Sequence, residues 1–496
     1  MYLDQAEDVK KTAGNLSSSF LIRIARYPFL AVYIIVIPRM LGSSNYGELA
    51  FFISIVMLTS DIFTFGLPLV LGRFIPEFIV KKEQTKLEQL VSGYFILEFI
   101  ISLILGLTGI VLYFALPLQE EGILPYIIIY FAIIIEIYSA ILFSTLYGLN
   151  YVGKANMINL FRTAFRLLFI FALYPVFGFL GAIFSLLLTP LVSGIYAFFS
   201  IGKVIKIKIH KPIIKEFIPK LKFGVVIFTP TLLFSFQQQI GPAFLKSFSY
   251  TNSEIGFFDL ANQGFLVLYG LAIVGFDALI PITSKFQVIG RSEKSIDWLT
   301  LLLRYILPII LIIVSGFYFF GKELITFVLG MGYIHIYPIA LIILSTIPIW
   351  VIGQLGYVRS VSLSKAKPYF LSALFSTVIF VLFGILSIKN LGSVGLALAI
   401  LFSSITFSIS MLLFYKELIS RLTNILLKML ISLISFLPIF LLNSPNIALK
   451  ILTFSFCLGL FLVILSKLEI INKNEIKQII AVLERKNPND EVFLYS

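Results

Sequence analysis

Residues 17–77 read SSSFLIRIARYPFLAVYIIVIPRMLGSSNYGELAFFISIVMLTSDIFTFGLPLVLGRFIPE, and this stretch decides the fold of the chain. It holds two apolar runs, 17–41 and 46–72, separated by the short polar turn 42–45. A bilayer core about 30 Å thick needs about 20 helical residues to cross it. Each run is long enough, so the stretch predicts two transmembrane helices joined by a turn.

The composition extends this prediction to the whole chain. Of the 496 residues, 59% are hydrophobic, and the mean hydropathy is +1.02. Soluble domains are only about 45–50% apolar. We therefore expect an all-α polytopic membrane protein with about fourteen transmembrane helices. The predicted spans are 17–41, 46–72, 87–116, 123–149, 157–177, 179–201, 217–245, 254–284, 297–320, 334–358, 368–388, 391–415, 421–443 and 446–466.

The basic residues predict the orientation of these spans. With the N-terminus inside, all but five of the 38 Lys and Arg residues fall in or near cytoplasmic segments. The exceptions are Arg39, Lys246, Lys322, Lys389 and Lys450. The positive-inside rule thus predicts a multi-pass protein of the cytoplasmic (inner) membrane with both termini in the cytoplasm. It also accounts for the net charge of +13, so we expect no nucleic-acid partner.

Two further expectations come from rare residues and from the N-terminus. Cys457 stands alone and only His210 and His335 are present, so we expect no disulfide, no Cys/His metal site and no cofactor. Residues 1–16 are polar and the first apolar run is too long for a signal peptide, so no cleavable signal is expected.

Recurring glycines predict an internal duplication. Gly47 in the first half of the chain corresponds to Gly256 in the second, and the Gly-x-x-Gly motif at 178–181 corresponds to the one at 392–395. Two six-helix lobes of equal orientation would form a parallel repeat, followed by two extra helices. The predicted segments are a cytoplasmic N-terminus (1–16), an N-lobe (17–201), a basic cytoplasmic linker (202–216), a C-lobe (217–415), a final helix pair (416–466) and a cytoplasmic tail (467–496).

This arrangement, together with short motifs, resembles the polysaccharide (O-antigen type) flippases of the multidrug/oligosaccharidyl-lipid/polysaccharide exporter superfamily. The motifs are Arg39-Met40-Leu41-Gly42 with Tyr46-Gly47, Phe65-Gly66-Leu67, Arg73-Phe74-Ile75-Pro76-Glu77, Gly178-x-x-Gly181 and Glu254-Ile255-Gly256. The seventh span departs from the family, because it carries Gln237-Gln238-Gln239 where many relatives have an acidic–basic pair.

The resemblance implies a flippase that moves a lipid-linked oligosaccharide, carried on a polyprenyl diphosphate, across the membrane by alternating access. It implies membrane lipids, and the polymerase or glycosyltransferases of polysaccharide synthesis, as partners. Such a protein is not an enzyme. A multidrug or cation antiporter of the same superfamily and a passive scramblase are alternatives. A membrane-embedded glycosyltransferase or polymerase is a further one, although the sequence has no Asp-x-Asp motif and no large extramembrane loop.

Arginines inside the predicted spans are the candidate substrate ligands, since buried charges normally mark a transport pathway. Arg23 and Arg26 share one helix face, as do Arg162 and Arg166, and Arg304 lies inside the ninth span. A guanidinium binds phosphate with two hydrogen bonds and keeps its charge when desolvated. We expect these residues to hold the diphosphate. The alternative is structural pairing with nearby carboxylates.

Three carboxylates and two amides complete the candidate set. Asp61, Glu98 and Glu136 lie near mid-depth and are candidates for binding a coupling ion, Na⁺ or H⁺, or for neutralising the arginines. Gln237 and Gln238 are candidates for hydrogen bonds to sugar hydroxyls or to neighbouring helices.

Overall fold

The computed structural model describes residues 2–115, 123–203, 210–438 and 446–470. Within these ranges the chain is almost entirely helical and has no β-strand, which confirms the predicted all-α fold. The helices are α1 (Tyr2–Phe63), α2 (Leu67–Val80), α3 (Gln84–Ala115), α4 (Leu124–Gly148), α5 (Val152–Phe177), α6 (Phe179–Gly202), α7 (Ile214–Gln239), α8 (Gly241–Ser247), α9 (Asn252–Val288), α10 (Ser292–Val328), α11 (Ile336–Ser345), α12 (Ile347–Ser362), α13 (Ala366–Phe414), α14 (Lys416–Leu433) and α15 (Ile447–Lys467).

Twelve helical stretches in the described ranges are long and apolar enough to cross a membrane. Two of them, Ala25–Phe63 and Ala366–Phe414, each contain two of the predicted spans. Their backbone leaves the helical conformation at Gly42 (φ 77°) and Gly392 (φ 55°), at the predicted turns. Division at these glycines gives the expected set of about fourteen, although residues 439–443 of the thirteenth span lie outside the described ranges.

Three predicted spans, 46–72, 217–245 and 334–358, are each divided between two helices. The run 46–72 ends its first helix at Phe63 and restarts at Leu67, with Phe65 and Gly66 at positive φ (48° and 72°). Gly66 lies against the backbone of Gly224 in α7, where a Cβ would come within 2.6 Å of the Gly224 carbonyl carbon. The run 217–245 divides similarly between α7 and α8.

The N-terminal segment differs from the predicted polar extension. Helix α1 begins at Tyr2, so the polar segment predicted at 1–16 is helical from its second residue. The side chains of residues 1–21 lie outside the described part, as do residues 204–209 of the basic linker and 471–496 of the predicted tail.

Two turns at corresponding positions of the predicted repeats have the same backbone geometry. Gly178 has φ 60° and ψ −141°, and Gly392 has φ 55° and ψ −133°. Three residues later, Gly181 and Gly395 pack on carbonyl groups, and a Cβ on either would lie 2.5 Å from a carbonyl carbon or oxygen of the preceding helix. Both Gly-x-x-Gly motifs are therefore tight turns with close backbone packing, as their recurrence predicted.

Cα packing divides the chain into two compact units. The first comprises Met1–Val267, Ile325–Ile343 and Ala373–Ser403, and the second comprises Leu268–Leu324, Leu344–Ser372 and Ser404–Ser496. The first has an apolar core, contributed by α2 to α6, whose fully buried members are Leu67, Val70, Leu71, Ile75, Tyr94, Ile141, Leu146, Ala155 and Ala197. In the second, the buried Trp350 packs against the rings of Tyr269 and Phe407.

Candidate functional site

Helices α1 and α5 of the first unit bring three arginines together. The Nε of Arg26 on α1 donates a hydrogen bond of 3.0 Å to Oγ1 of Thr163 on α5, one residue from Arg162 and three from Arg166. Arg26 is exposed, and its charge lies close enough to those of Arg162 and Arg166 to repel both. Positive charge that repels itself in the free protein is stabilised when an anion binds, so the three form a candidate anion site, here called the arginine cluster.

Arg162 differs from its neighbours because it is already paired. Its Nη2 contacts both carboxylate oxygens of Glu136 on α4, and the two side chains are only 19% and 12% exposed. This contact is the structural pairing that the sequence left open as an alternative to substrate binding. A buried ion pair of this kind needs both partners, since removing one leaves an uncompensated charge.

Arg166 is the member with unused hydrogen-bonding capacity. Its Nε is buried and has no hydrogen-bond partner among the described residues. The Tyr33 hydroxyl, in electrostatic reach of Arg166, is also buried without a partner there. Buried polar groups are normally hydrogen-bonded, so an unpaired guanidinium N–H beside an unpaired hydroxyl is an arrangement that a bound anion can complete.

The remaining predicted arginines are not part of this geometry. The side chain of Arg23 lies outside the described part of the structure. Arg304 belongs to the second unit, where its Nε donates to the backbone oxygen of Ile470 (2.7 Å) and its guanidinium lies 5.5 Å from the ring centre of Tyr305.

The two glutamines of α7 have different surroundings. The Gln237 amide donates to Oγ1 of Thr377 (2.8 Å) and accepts from Oγ of Ser376 (3.2 Å), so both ends are used in a contact with α13. Gln238 is also buried, but its Oε1 has no hydrogen-bond partner among the described residues. Gln237 therefore holds two helices together, whereas the Gln238 amide oxygen is buried without a hydrogen-bond partner among the described residues.

The three predicted carboxylates also separate into paired and unpaired groups. Asp61 accepts a short hydrogen bond from Ser235 of α7, and Glu136 binds Arg162. Glu98 on α3 is 1% exposed, and neither carboxylate oxygen has a hydrogen-bond partner in the described ranges. Since burying an unpaired carboxylate is expensive, Glu98 is the carboxyl that would gain most from a proton or a cation.

A second feature, not identified as a site from the sequence, joins the first turns of two helices. A Cβ on Gly47 would collide with the backbone oxygen of Asn252, and a Cβ on Gly256 would lie 2.9 Å from the backbone oxygen of Ser43. The Oγ atoms of Ser43 and Ser253 are 3.0 Å apart. We call these five residues the repeat contact, because equivalent positions of the two repeats meet reciprocally.

A buried hydrogen bond lies beside the repeat contact. The Tyr46 hydroxyl donates to Oδ2 of Asp259 at 2.6 Å, and Nε2 of Gln263 lies 3.4 Å from Oδ1 of the same carboxyl group. The recurrence of Gly47 as Gly256 was the sequence signal for this region. Nothing in the sequence singled out Tyr46 and Asp259 as a pair.

Comparison with solved structures shows which known folds this chain resembles. The fold is similar to that of the lipid II flippase MurJ in an inward closed conformation, with a TM-score of 0.68 and 19% identity over 90% of this chain and 98% of MurJ. It is also similar to an inward-facing multidrug resistance MATE transporter of the MOP superfamily (TM-score 0.63, 14% identity, 80% and 95% of the two chains). A MOP superfamily transporter from Pyrococcus furiosus has a TM-score of 0.54 and 14% identity, over 82% of this chain and 94% of that one.

At the sequence level, no curated protein matches the chain. A sequence model of one family does match, and it carries the description "Polysaccharide biosynthesis protein". The match covers residues 13–287, more than half of the chain. It confirms the resemblance found in the sequence motifs: the chain belongs to the polysaccharide biosynthesis protein family.

Proposed function

We propose that the protein is a flippase that moves a lipid-linked oligosaccharide, carried on a polyprenyl diphosphate, from the cytoplasmic to the outer leaflet of the cytoplasmic membrane. The family supports a role in polysaccharide biosynthesis, and the shared fold of the lipid II flippase supports transport of a lipid-linked sugar. Transport of this kind needs no covalent chemistry, so the protein acts as a transporter and not as an enzyme.

The observation that carries this proposal is the arginine cluster. Arg166 has a buried Nε without a partner, and Arg26 is exposed within reach of its charge. A diphosphate offers several negatively charged oxygens, and guanidinium–phosphate hydrogen bonds are about twice as strong as neutral ones. In our proposal Arg26 and Arg166 bind the diphosphate, whereas Arg162 fixes helices α4 and α5 through Glu136.

Movement of the sugar across the membrane requires an alternating cavity. The repeat contact lies on the side predicted to face outwards, and its reciprocal glycine packing holds the first turns of two repeats together. In the proposed cycle the substrate enters while this contact is closed. The contact then separates, and the sugar leaves on the outer side. An H⁺ or Na⁺ gradient would drive the cycle through Glu98.

The test is translocation of a fluorescently labelled polyprenyl diphosphate oligosaccharide in proteoliposomes. Arg26→Ala and Arg166→Ala should reduce transport at least tenfold, while Lys389→Ala, an exposed lysine outside the cluster, should leave it unchanged. Thermal unfolding in detergent must show that all three variants are folded. Normal transport in both arginine variants would contradict the proposal.

A second candidate, an ion-driven multidrug antiporter, is favoured by one specific observation. Glu98 is a buried carboxyl without a hydrogen-bond partner in the described ranges, and the fold matches that of a MATE transporter. The same proteoliposomes distinguish the two functions. Uptake of a cationic dye driven by a pH or Na⁺ gradient, without flipping of the labelled lipid, would favour the antiporter.

A further inference from the structure

The second unit contains a cavity that the proposed transport cycle does not use. It has a volume of about 370 Å³, within the range of small-ligand sites (about 300–1,000 Å³), and lies among α10, α14 and the residues after α15. Its lining residues are Asp297, Trp298, Thr300, Leu301, Arg304, Arg421, Asn424, Ile425, Lys428, Glu469 and Ile470. We call this space the basal cavity.

The basal cavity has an ion pair at one level and two cations at a second. Nη1 of Arg421 lies 3.2 Å from Oδ1 of Asp297, and both side chains are about half exposed. Arg304 and Lys428 lie about two turns, or ~10 Å, further along α10 and α14 respectively. Arg421 is offset by Asp297, and at the deeper level the lining residues are the cations Arg304 and Lys428 together with the exposed carboxylate of Glu469.

Arg304 and Lys428 are held in place by the chain that follows α15. The Arg304 Nε donates to the backbone oxygen of Ile470 (2.7 Å), and the Lys428 Nζ donates to that of Leu468 (2.8 Å). Helix α15 ends at Lys467, so these bonds tie both cations to the backbone that directly follows the helix. The cationic groups are thereby fixed at the cavity before any ligand arrives.

The position of the basal cavity identifies the ligand class. Helices α10 and α14 begin on the side that the basic residues predict to be cytoplasmic, and the lining residues lie within their first four turns. Trp298, which lines the cavity, is a residue type enriched at membrane interfaces. Basic pockets between transmembrane helices on the cytoplasmic side bind anionic lipid headgroups.

We propose that the basal cavity binds the phosphate headgroup of an anionic lipid from the cytoplasmic leaflet, with Lys428 and Arg304 facing the phosphate and Trp298 at its edge. This site is separate from the arginine cluster and does not depend on which substrate the protein transports. Thr300 and Asn424 supply neutral hydrogen-bonding groups to the same cavity.

Tryptophan fluorescence offers a direct test, because Trp298 and the fully buried Trp350 are the two tryptophans of the chain. The protein is reconstituted in phosphatidylcholine vesicles containing either brominated phosphatidylglycerol or brominated phosphatidylcholine at equal mole fraction. A bound anionic headgroup should make the brominated phosphatidylglycerol the stronger quencher, with about fivefold enrichment for each basic side chain. In Trp298→Phe this excess quenching should disappear.

Charge variants of helix α14 test whether the cavity itself causes the excess quenching. Lys428→Gln should reduce the enrichment about fivefold, because one of the two basic side chains is lost while Arg304 remains, and Lys428→Arg should retain it. Lys416→Gln, exposed on the same helix but not lining the cavity, removes the same charge and should have no effect. Equal loss in Lys416→Gln and Lys428→Gln would overturn the proposal in favour of general surface attraction.

Two further results would also overturn it. Equal quenching by both brominated lipids in the wild-type protein would show that the cavity does not select an anionic headgroup. If inorganic phosphate in pure phosphatidylcholine vesicles changed Trp298 emission while phosphatidylglycerol showed no excess quenching, the ligand would be a soluble phosphate and not a lipid.

Discussion

The Oγ of Ser43 lies 3.0 Å from the Oγ of Ser253, so the first turns of two repeats are in direct contact. If transport requires their separation, a covalent link here should stop it. In a Cys457→Ala background, Ser43→Cys/Ser253→Cys should form a disulfide on mild oxidation, because the two Oγ atoms are already in contact. Flipping of labelled substrate should fall to background and return on reduction. Ser43→Cys alone should transport normally after oxidation, and full transport by the cross-linked protein would contradict the role assigned to this contact.

Gly392 should tolerate no side chain. Its φ of 55° and ψ of −133° strain any L-residue, and a Cβ would collide with Oε1 of Glu254, which accepts hydrogen bonds from the backbone N and the Oγ of Ser393. We expect Gly392→Ala to destabilise the protein by about 1–3 kcal/mol, measured by thermal unfolding in detergent. Gly459→Ala is the matched control, since no heavy atom lies within 4 Å of the position that its Cβ would take and alanine favours helix by about 1 kcal/mol. Equal destabilisation of both variants would contradict this explanation.

The Arg162–Glu136 pair allows a structural role to be separated from substrate binding. Glu136→Gln or Arg162→Met alone should lower stability by about 3–5 kcal/mol, because each leaves one buried charge without its partner. The double variant Arg162→Met/Glu136→Leu should recover most of that loss. It should also recover flipping if Arg162 only fixes α4 and α5. A stable double variant without transport would instead make Arg162 a substrate ligand.

Substitution of Glu98 should leave the stability of the protein unchanged but should abolish its coupling to an ion gradient. Because its carboxylate oxygens have no hydrogen-bond partner in the described ranges, Glu98→Gln removes an ionisable group without breaking a contact there. We expect the melting temperature to change little, whereas acceleration of flipping by an imposed pH gradient should be lost. Asp61→Asn is the comparison variant, since it alters the carboxyl group that binds Ser235. Gradient-dependent transport retained in Glu98→Gln would exclude Glu98 as the coupling residue.

The length of the apolar runs was sufficient to predict the membrane-spanning helices. It was insufficient at Phe65–Gly66, where the break arises from close packing on Gly224, a residue more than 150 positions away. Gly275 follows Gly66 by 209 residues, the same distance that separates Gly47 from Gly256, yet it lies within the continuous helix α9. The repeat pattern therefore did not predict the break at Gly66.

The sequence identified the residues of the candidate site but not which of these side chains pair with each other. Counting depth along the helices put Arg26, Arg166 and Glu136 near mid-membrane and Arg162 nearer the surface, and the structure brings all four into one neighbourhood. Whether a given arginine is paired depends on side-chain directions across separate helices. The partners of Gln237, on a helix about 140 residues away, depend on the same tertiary packing.

The reciprocal form of the repeat contact has a consequence for ancestry. Gly47 packs on the backbone of Asn252 while Gly256 packs on that of Ser43, which is the pattern of a two-fold symmetric dimer interface. In a single-length ancestor, one substitution would have changed both halves of such an interface at once. If the predicted repeats arose by fusion of two copies, each half could then diverge separately, as the difference between Ser43 and Asn252 indicates, and the strength of closure could evolve in smaller steps than in a homodimer.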